Sequence, residues 1–134
     1  MPKEFTYRGQ TEEQLKQISM DDFITLLPAR QRRALLRVPP NEQRKLREKV
    51  RKARKDSSQG KTLVIRTHCR ETVILPEMLG LTINVHDGKE FKSVEITAEK
   101  LGHRLGEFAI TNKKVSHGTP GIGASRSSMY VPLK

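Results

Sequence analysis

The chain has 134 residues, 26 of them lysine or arginine against 15 aspartate or glutamate, giving a formal net charge of +11 and a pI near 10.2. Hydrophobic residues make up 34% and aromatic residues 4%, enough for one modest core but not for packing along the whole length. So large a charge opposes compaction by self-repulsion and makes sense where a polyanion neutralises it.

The realistic polyanions are nucleic acid and anionic membrane. No run approaches membrane-spanning length, no lipidation motif is present, and Met1-Pro2-Lys3-Glu4 lacks the apolar stretch of a secretory signal. Nucleic acid is therefore the leading partner, and neither a membrane nor a small-molecule substrate is expected. The single cysteine, Cys69, excludes an intrachain disulfide and fits a reducing, cytosolic compartment.

The charge is unevenly placed. Residues 1–29 hold three basic and five acidic residues, residues 30–61 thirteen and three, residues 62–134 ten and seven. The pattern divides the chain into an N-terminal helical extension over 1–60, basic from residue 30 onward, an α+β core over 61–110 and an extended tail over 111–134.

Thr11-Glu12-Glu13-Gln14 fits a capping box ahead of Leu15 and Ile18. Ser19 caps a second turn carrying Phe23, Leu26 and Leu27 at helical spacing. Pro28 starts a third segment, Ala29 to Arg37, which Val38-Pro39-Pro40 breaks. Residues 41–55 read as a long basic helix. Its apolar stripe of Leu46, Val50 and Ala53 is too narrow to bury much, and Glu48 and Lys52 form a supporting i,i+4 pair. Nine basic residues fall between Arg44 and Lys61, which suits a helix laid along phosphates better than a merely solvated one.

Asp56-Ser57-Ser58-Gln59-Gly60 reads as a linker, after which the pattern turns to strands. Lys61 to Thr67 alternates through Leu63 and Ile65, Thr72 to Leu75 is a short apolar run, and Pro76 to Gly80 is one helical turn. Thr82 to His86 and Phe91 to Ile96 flank Asp87-Gly88, the signal for a type I′ hairpin turn, and place Ile83, Val85, Val94 and Ile96 on the core face. Thr97 caps a short helix, Ala98 to Leu101, closed by Gly102. Leu105, Phe108 and Ile110 are core candidates. From Thr111, glycines, prolines and few apolar anchors predict a tail with no core of its own.

Other chemistries find little support. His68, Cys69, His86 and His103 lack metal-ligand spacing. Cys69 has no base placed beside it. Gly118-Thr119-Pro120-Gly121-Ile122-Gly123 lacks the Gly-Lys-Ser/Thr ending of a phosphate loop. Glu77 suits the first turn of a helix, Asp87 a turn, and Glu107 a pairing role with nearby arginines. No enzyme activity and no cofactor is expected.

The stretch Thr72-Val73-Ile74-Leu75-Pro76-Glu77-Met78-Leu79-Gly80-Leu81-Thr82-Ile83-Asn84-Val85-His86-Asp87-Gly88-Lys89, with Gly102-His103-Arg104-Leu105-Gly106-Glu107-Phe108, resembles the centre of the ribosomal protein S-nineteen family. Phe5-Thr6-Tyr7-Arg8-Gly9, Ala29-Arg30-Gln31-Arg32-Arg33 and His117-Gly118-Thr119-Pro120-Gly121-Ile122-Gly123-Ala124 are similar to its archaeal and eukaryotic branch. The resemblance implies a structural constituent of the small ribosomal subunit, placed in the head. It implies binding to the 3′ domain of the rRNA, pairing with ribosomal protein S-thirteen, and a tail pointing toward the decoding region and bound tRNAs. It also implies an α+β fold with helices against a three-stranded sheet.

Recognition of folded rRNA rests on shape and backbone contacts, which calls for cations on a scaffold with flexible extensions. Arg30, Arg32 and Arg33, with Arg37 behind them, can fork onto successive phosphates. Arg44, Lys45, Arg47, Arg51, Lys52, Arg54 and Lys55 supply the basic helix. Arg66, His68 and Arg70 are evenly spaced along an extended segment and point to one side, although His68 is equally read as a partly buried structural histidine. Lys89 and Lys92 stand at the hairpin tip. His103 and Arg104 follow Gly102, where backbone can approach a phosphate. Lys113, Lys114 and His117 begin the tail, and Arg126 and Lys134 lie along the part that the resemblance places near tRNA. Stacking on aromatics is expected to be minor with four Phe, two Tyr and no Trp. A free-standing nucleic-acid-binding module is the other reading, and it has little use for such a tail.

Overall fold

Helix starts and stops follow one another through the first half of the chain, and the computed structural model, which describes residues 4–60, 63–121 and 123–128, places four helices there. They are α1 (Glu12–Gln17), α2 (Met20–Leu26), α3 (Ala29–Leu36) and α4 (Asn41–Ser58). Gln14 Oε1 accepts from the Thr11 amide at 3.0 Å, one half of the capping box. Ser19 Oγ accepts from the Asp22 amide at 3.2 Å to start α2. Pro28 and Pro40 stand immediately before α3 and α4. α4 continues three residues past the expected end at 55. Ser58 Oγ donates to the Lys55 carbonyl at 2.6 Å, and Gly60, at φ 79°, turns the chain out of the helix.

Three strands follow: β1 (Ile65–Thr67), β2 (Thr82–His86) and β3 (Phe91–Glu95), in the order β1-β2-β3. β1 runs parallel to β2, and β3 antiparallel to it. The inward residues Ile65, Ile83, Val85, Val94 and Ile96 are buried, as alternation requires. They share one core with Leu15 of α1, Phe23 of α2, and Leu46, Val50 and Ala53 of α4. The stripe on α4 is therefore narrow yet fully used: burying its leucine and valine is worth about 3–6 kcal/mol. α3 buries no residue. The architecture is α+β, as the composition and pattern implied.

Several local expectations change. β1 is short. Leu63 and Val64 are 44% and 69% exposed, while Lys61 and Thr62 lie outside the described residues. Thr72 to Leu75 is no strand. It crosses residues 102–105 through a Val73–Arg104 bridge, with the Ile74 amide donating to the His103 carbonyl at 2.8 Å. Leu105 is buried, but Ile110 is 64% exposed, because the chain has left the core by then. The tail is extended over residues 111–121 and takes a 3-10 turn at Arg126–Ser128. Among the described residues no helix is long and apolar enough to cross a membrane.

The hairpin turn also differs. Its closing residues are Asp87 and Glu90, so the tip is Gly88-Lys89, and only Gly88 has positive φ, at 102°. A type I′ turn needs two such residues. The Asp87 carboxylate accepts from the Lys89 and Glu90 amides at 2.9 and 2.7 Å, competing with the backbone pattern. A two-residue turn with both φ positive forms instead at Arg8 (48°) and Gly9 (83°), joining Tyr7 to Gln10.

The Glu90 amide first, then the Lys89 amide, holds the Asp87 carboxyl below its ordinary range. A carboxylate depressed in the folded state stabilises above its unfolded pKa, and that stabilisation is lost as pH falls through the folded value. The Glu90 and Lys89 amide signals should titrate with a midpoint below that of an unstructured aspartate, measured by NMR. An ordinary midpoint would contradict the turn geometry.

Candidate nucleic-acid interface

The exposed side of α4 carries Arg44, Lys45, Lys49, Arg51, Lys52, Arg54 and Lys55. Few acids answer them. Among the described residues three ion pairs form: Lys16–Glu12 at 2.7 Å, Arg51–Glu77 at 3.6 Å and His103–Glu107 at 2.7 Å. The Glu48–Lys52 pair expected from spacing is not among them. Glu107 serves His103 rather than an arginine, and it also accepts from the Arg104 amide at 3.4 Å.

Two places gather cations from distant parts of the chain. A groove of about 330 Å³ between α4 and the β1 edge is lined by Lys45, Lys49, Arg66 and His68, with Glu42 at one side. A second cavity, of about 300 Å³, lies where α3 ends and α4 begins. Arg37, Arg47 and Arg104 line it together with Glu71. Arg47 Nε is buried there without a hydrogen-bond partner. An unpaired buried donor is costly, and an anion entering this cavity would meet it.

Arg30, Arg33 and Arg37 are exposed on or just after α3. Arg32 is exposed too, but one end of its guanidinium is held by the chain. Its Nη2 donates to the carbonyls of Thr25 and Leu27, each at 3.0 Å, closing the C-terminal end of α2. Lys89 sits at the hairpin tip and Lys92 on the β3 edge, both exposed and apart from the two cavities. Lys113, Lys114, His117 and Arg126 are exposed along the tail. Lys134 lies outside the described residues.

The Arg66, His68, Arg70 strip corrects most clearly. Arg66 and His68 are exposed on one side, but β1 ends at Thr67 and alternation ends with it. Arg70 is half-buried, and its guanidinium donates to three backbone carbonyls: His86, Gly106 (3.0 Å) and Ala109. It is an internal strut between the end of β2 and the turn over Leu105–Phe108. Gly106 is required beside it, since a Cβ there would lie 3.0 Å from Arg70 Cβ and 3.1 Å from its carbonyl oxygen. Gly102 is equally constrained: φ is 77°, and a Cβ would meet the Tyr7 hydroxyl at 2.7 Å.

Two residues of the surface were not singled out by sequence. Lys49 enters through the groove, which only the packing of β1 on α4 creates. Phe91 enters through cross-strand register: it pairs with His86, and the His68 and His86 rings lie 4.4 Å apart beside it. Of the histidines weighed for a metal, His68 and His86 come together, whereas His103 is bound to Glu107 and lies edge-on to Phe108 at 5.9 Å.

Exposed cations gathered from separate segments, outnumbering the acids beside them, have the chemistry of a polyanion-binding scaffold. The match to known proteins gives that scaffold its family. The family model for ribosomal protein S19 matches residues 33–117, and the chain belongs to that family. It is thus a structural protein of the small ribosomal subunit, from a family of structural proteins rather than enzymes.

Arg70→Lys keeps the charge but cannot span three carbonyls, and should lower stability by about 2 kcal/mol. Arg33→Ala, on an exposed face, should change it by under about 0.5 kcal/mol. Urea denaturation of both variants decides this. An Arg70→Lys protein as stable as the parent would rule out the strut.

Proposed function

We propose that the protein binds the 3′ domain of the small-subunit rRNA in the head of the subunit, pairs there with ribosomal protein S-thirteen, and directs its tail toward the decoding region and tRNA. One observation supports the rRNA contact above others: among the described residues, Arg51 is the one cation of α4 that forms an ion pair, with Glu77, and the other exposed cations of the helix form none. Lys45 with Lys49, Arg47 with Arg51, and Arg51 with Lys55 are like-charge i,i+4 pairs, each unfavourable by about 0.2–0.5 kcal/mol. Phosphates along that face reverse the sign of each. The head position and the S-thirteen pairing rest on the likeness of residues 72–108 to the family, and the direction of the tail on the likeness of residues 5–9, 29–33 and 117–124 to its archaeal and eukaryotic branch.

On this reading residues 61–110 form the rRNA-binding core, residues 1–60 a helical extension that brings the cations of α3 and α4, and residues 111–134 the tail. Arg30, Arg33 and Arg37 meet the backbone from α3. Arg37, Arg47 and Arg104 hold one phosphate between them. Lys89 and Lys92 reach between RNA helices at the hairpin. Arg32 keeps Nε and Nη1 for a phosphate beside the carbonyls its Nη2 holds, whereas Arg70 leaves the contact set, since its guanidinium is half-buried and spent on carbonyls of this chain.

Binding to a 3′-domain rRNA transcript, measured over a salt series, tests the contact. Arg30→Ala with Arg33→Ala, and separately Lys45→Ala with Lys49→Ala, should weaken binding. Each should make the log–log salt slope shallower by roughly one for every phosphate contact removed. Unchanged slopes would take those side chains off the interface. In a sucrose gradient of cell lysate the full-length protein should run with the small subunit, and its staying at the top would refute the proposal.

A further inference from the structure

The outer face of the sheet carries a cluster that phosphate contacts do not explain. Arg66 pairs in register with Asn84, and His86 with Phe91. Arg66, His86 and Phe91 therefore project from the face opposite the core, and the exposed His68, just past the end of β1, lays its ring against them. The His68 and His86 rings lie 4.4 Å apart with an interplanar angle of 35°. Phe91 meets them edge-on at 5.2 and 5.0 Å. The Arg66 guanidinium stands 5.7 Å from the centre of the Phe91 ring. The Gly88 amide donates to His86 Nδ1 at 3.1 Å, which requires that nitrogen unprotonated and fixes the ring in place. Phe91 nevertheless remains 39% exposed.

Folding does not need this arrangement, because the core lies on the other side of the strands. The cluster instead joins the groove between α4 and β1: Arg66 and His68 belong to both, and Lys45 and Lys49 form the groove's far wall. A ring surface bordered by cations has the chemistry of a single-stranded nucleic-acid site, in which a base stacks and its phosphates are neutralised alongside.

We propose that His68, His86 and Phe91 form a stacking platform for an unpaired nucleobase of the RNA, with the adjoining phosphates on Lys45, Lys49 and Arg66. This deepens the rRNA-binding reading and rests on it. The cationic border selects nucleic acid over an apolar protein segment.

The test uses the full chain and two labelled probes of equal charge and length, hexa-adenylate and an abasic ribose-phosphate hexamer, read by fluorescence anisotropy. The parent protein should bind hexa-adenylate at least about fivefold more tightly than the abasic chain. Phe91→Leu keeps apolar bulk on the strand and removes the ring. It should abolish that preference while leaving the affinity for the abasic chain as it was, and its circular dichroism spectrum should match the parent's. Equal affinities in the parent, or a preference that survives Phe91→Leu, would overturn the platform. If the parent binds the 3′-domain transcript yet shows no base preference, only the platform falls. If it binds neither probe nor transcript, the rRNA reading falls with it.

Discussion

Arg70 donates to carbonyls that belong to two separate stretches of chain, the end of β2 and the turn after His103. β2 ends at His86, and a 3-10 turn leaves its last carbonyls open. A guanidinium is suited to this because its donors lie in one plane and in fixed directions. The lock also works through backbone, since the Gly106 amide donates to the Arg70 carbonyl at 2.8 Å. Arg66 and His68 leave β1 immediately before it. The same lock therefore sets where the outward cations and rings stand.

The core has a hard task. Among the described residues, eighteen buried apolar ones hold together a chain of net charge +11. The fold meets this by putting the charge where little apolar surface is at stake. α3 is all exposed or half-exposed, and α4 commits only Leu46, Val50 and Ala53 to the interior. Cation repulsion then acts across solvent, where the dielectric is high. The sheet edges are handled in a similar way: β1 is three residues long, and β3 carries exposed charges, Lys92 and Glu95, one on each face, which discourages pairing with another copy.

Helices were legible because their signals are local. Prolines, a serine cap and a glutamine at the right offset act within four residues. The hairpin was legible in place but not in register, since the Asp87 side chain took over hydrogen bonds that a two-residue turn would leave to backbone. Arg70 was misread for a different reason. Its partners lie 16, 36 and 39 residues away, and alternation cannot say where a strand stops. The grouping of Arg37, Arg47 and Arg104, and of Lys49 with Arg66, depends on tertiary packing and has no sequence signature. The His103–Glu107 pair did have one, at i,i+4, and was overlooked.

Residues 111–134 contain four lysines or arginines and no acid, and residues 111–121 are exposed throughout. Eighteen residues from Thr111 to Ser128 can span up to ~60 Å when drawn out, whereas a body of this size has a radius of gyration near ~13 Å. Once the body is seated, such a tether searches a volume far wider than the body itself. It presents its cations to any distant phosphate at an effective concentration on the order of millimolar. Weak individual contacts then suffice, because the anchoring has already met the entropic cost of bringing them near.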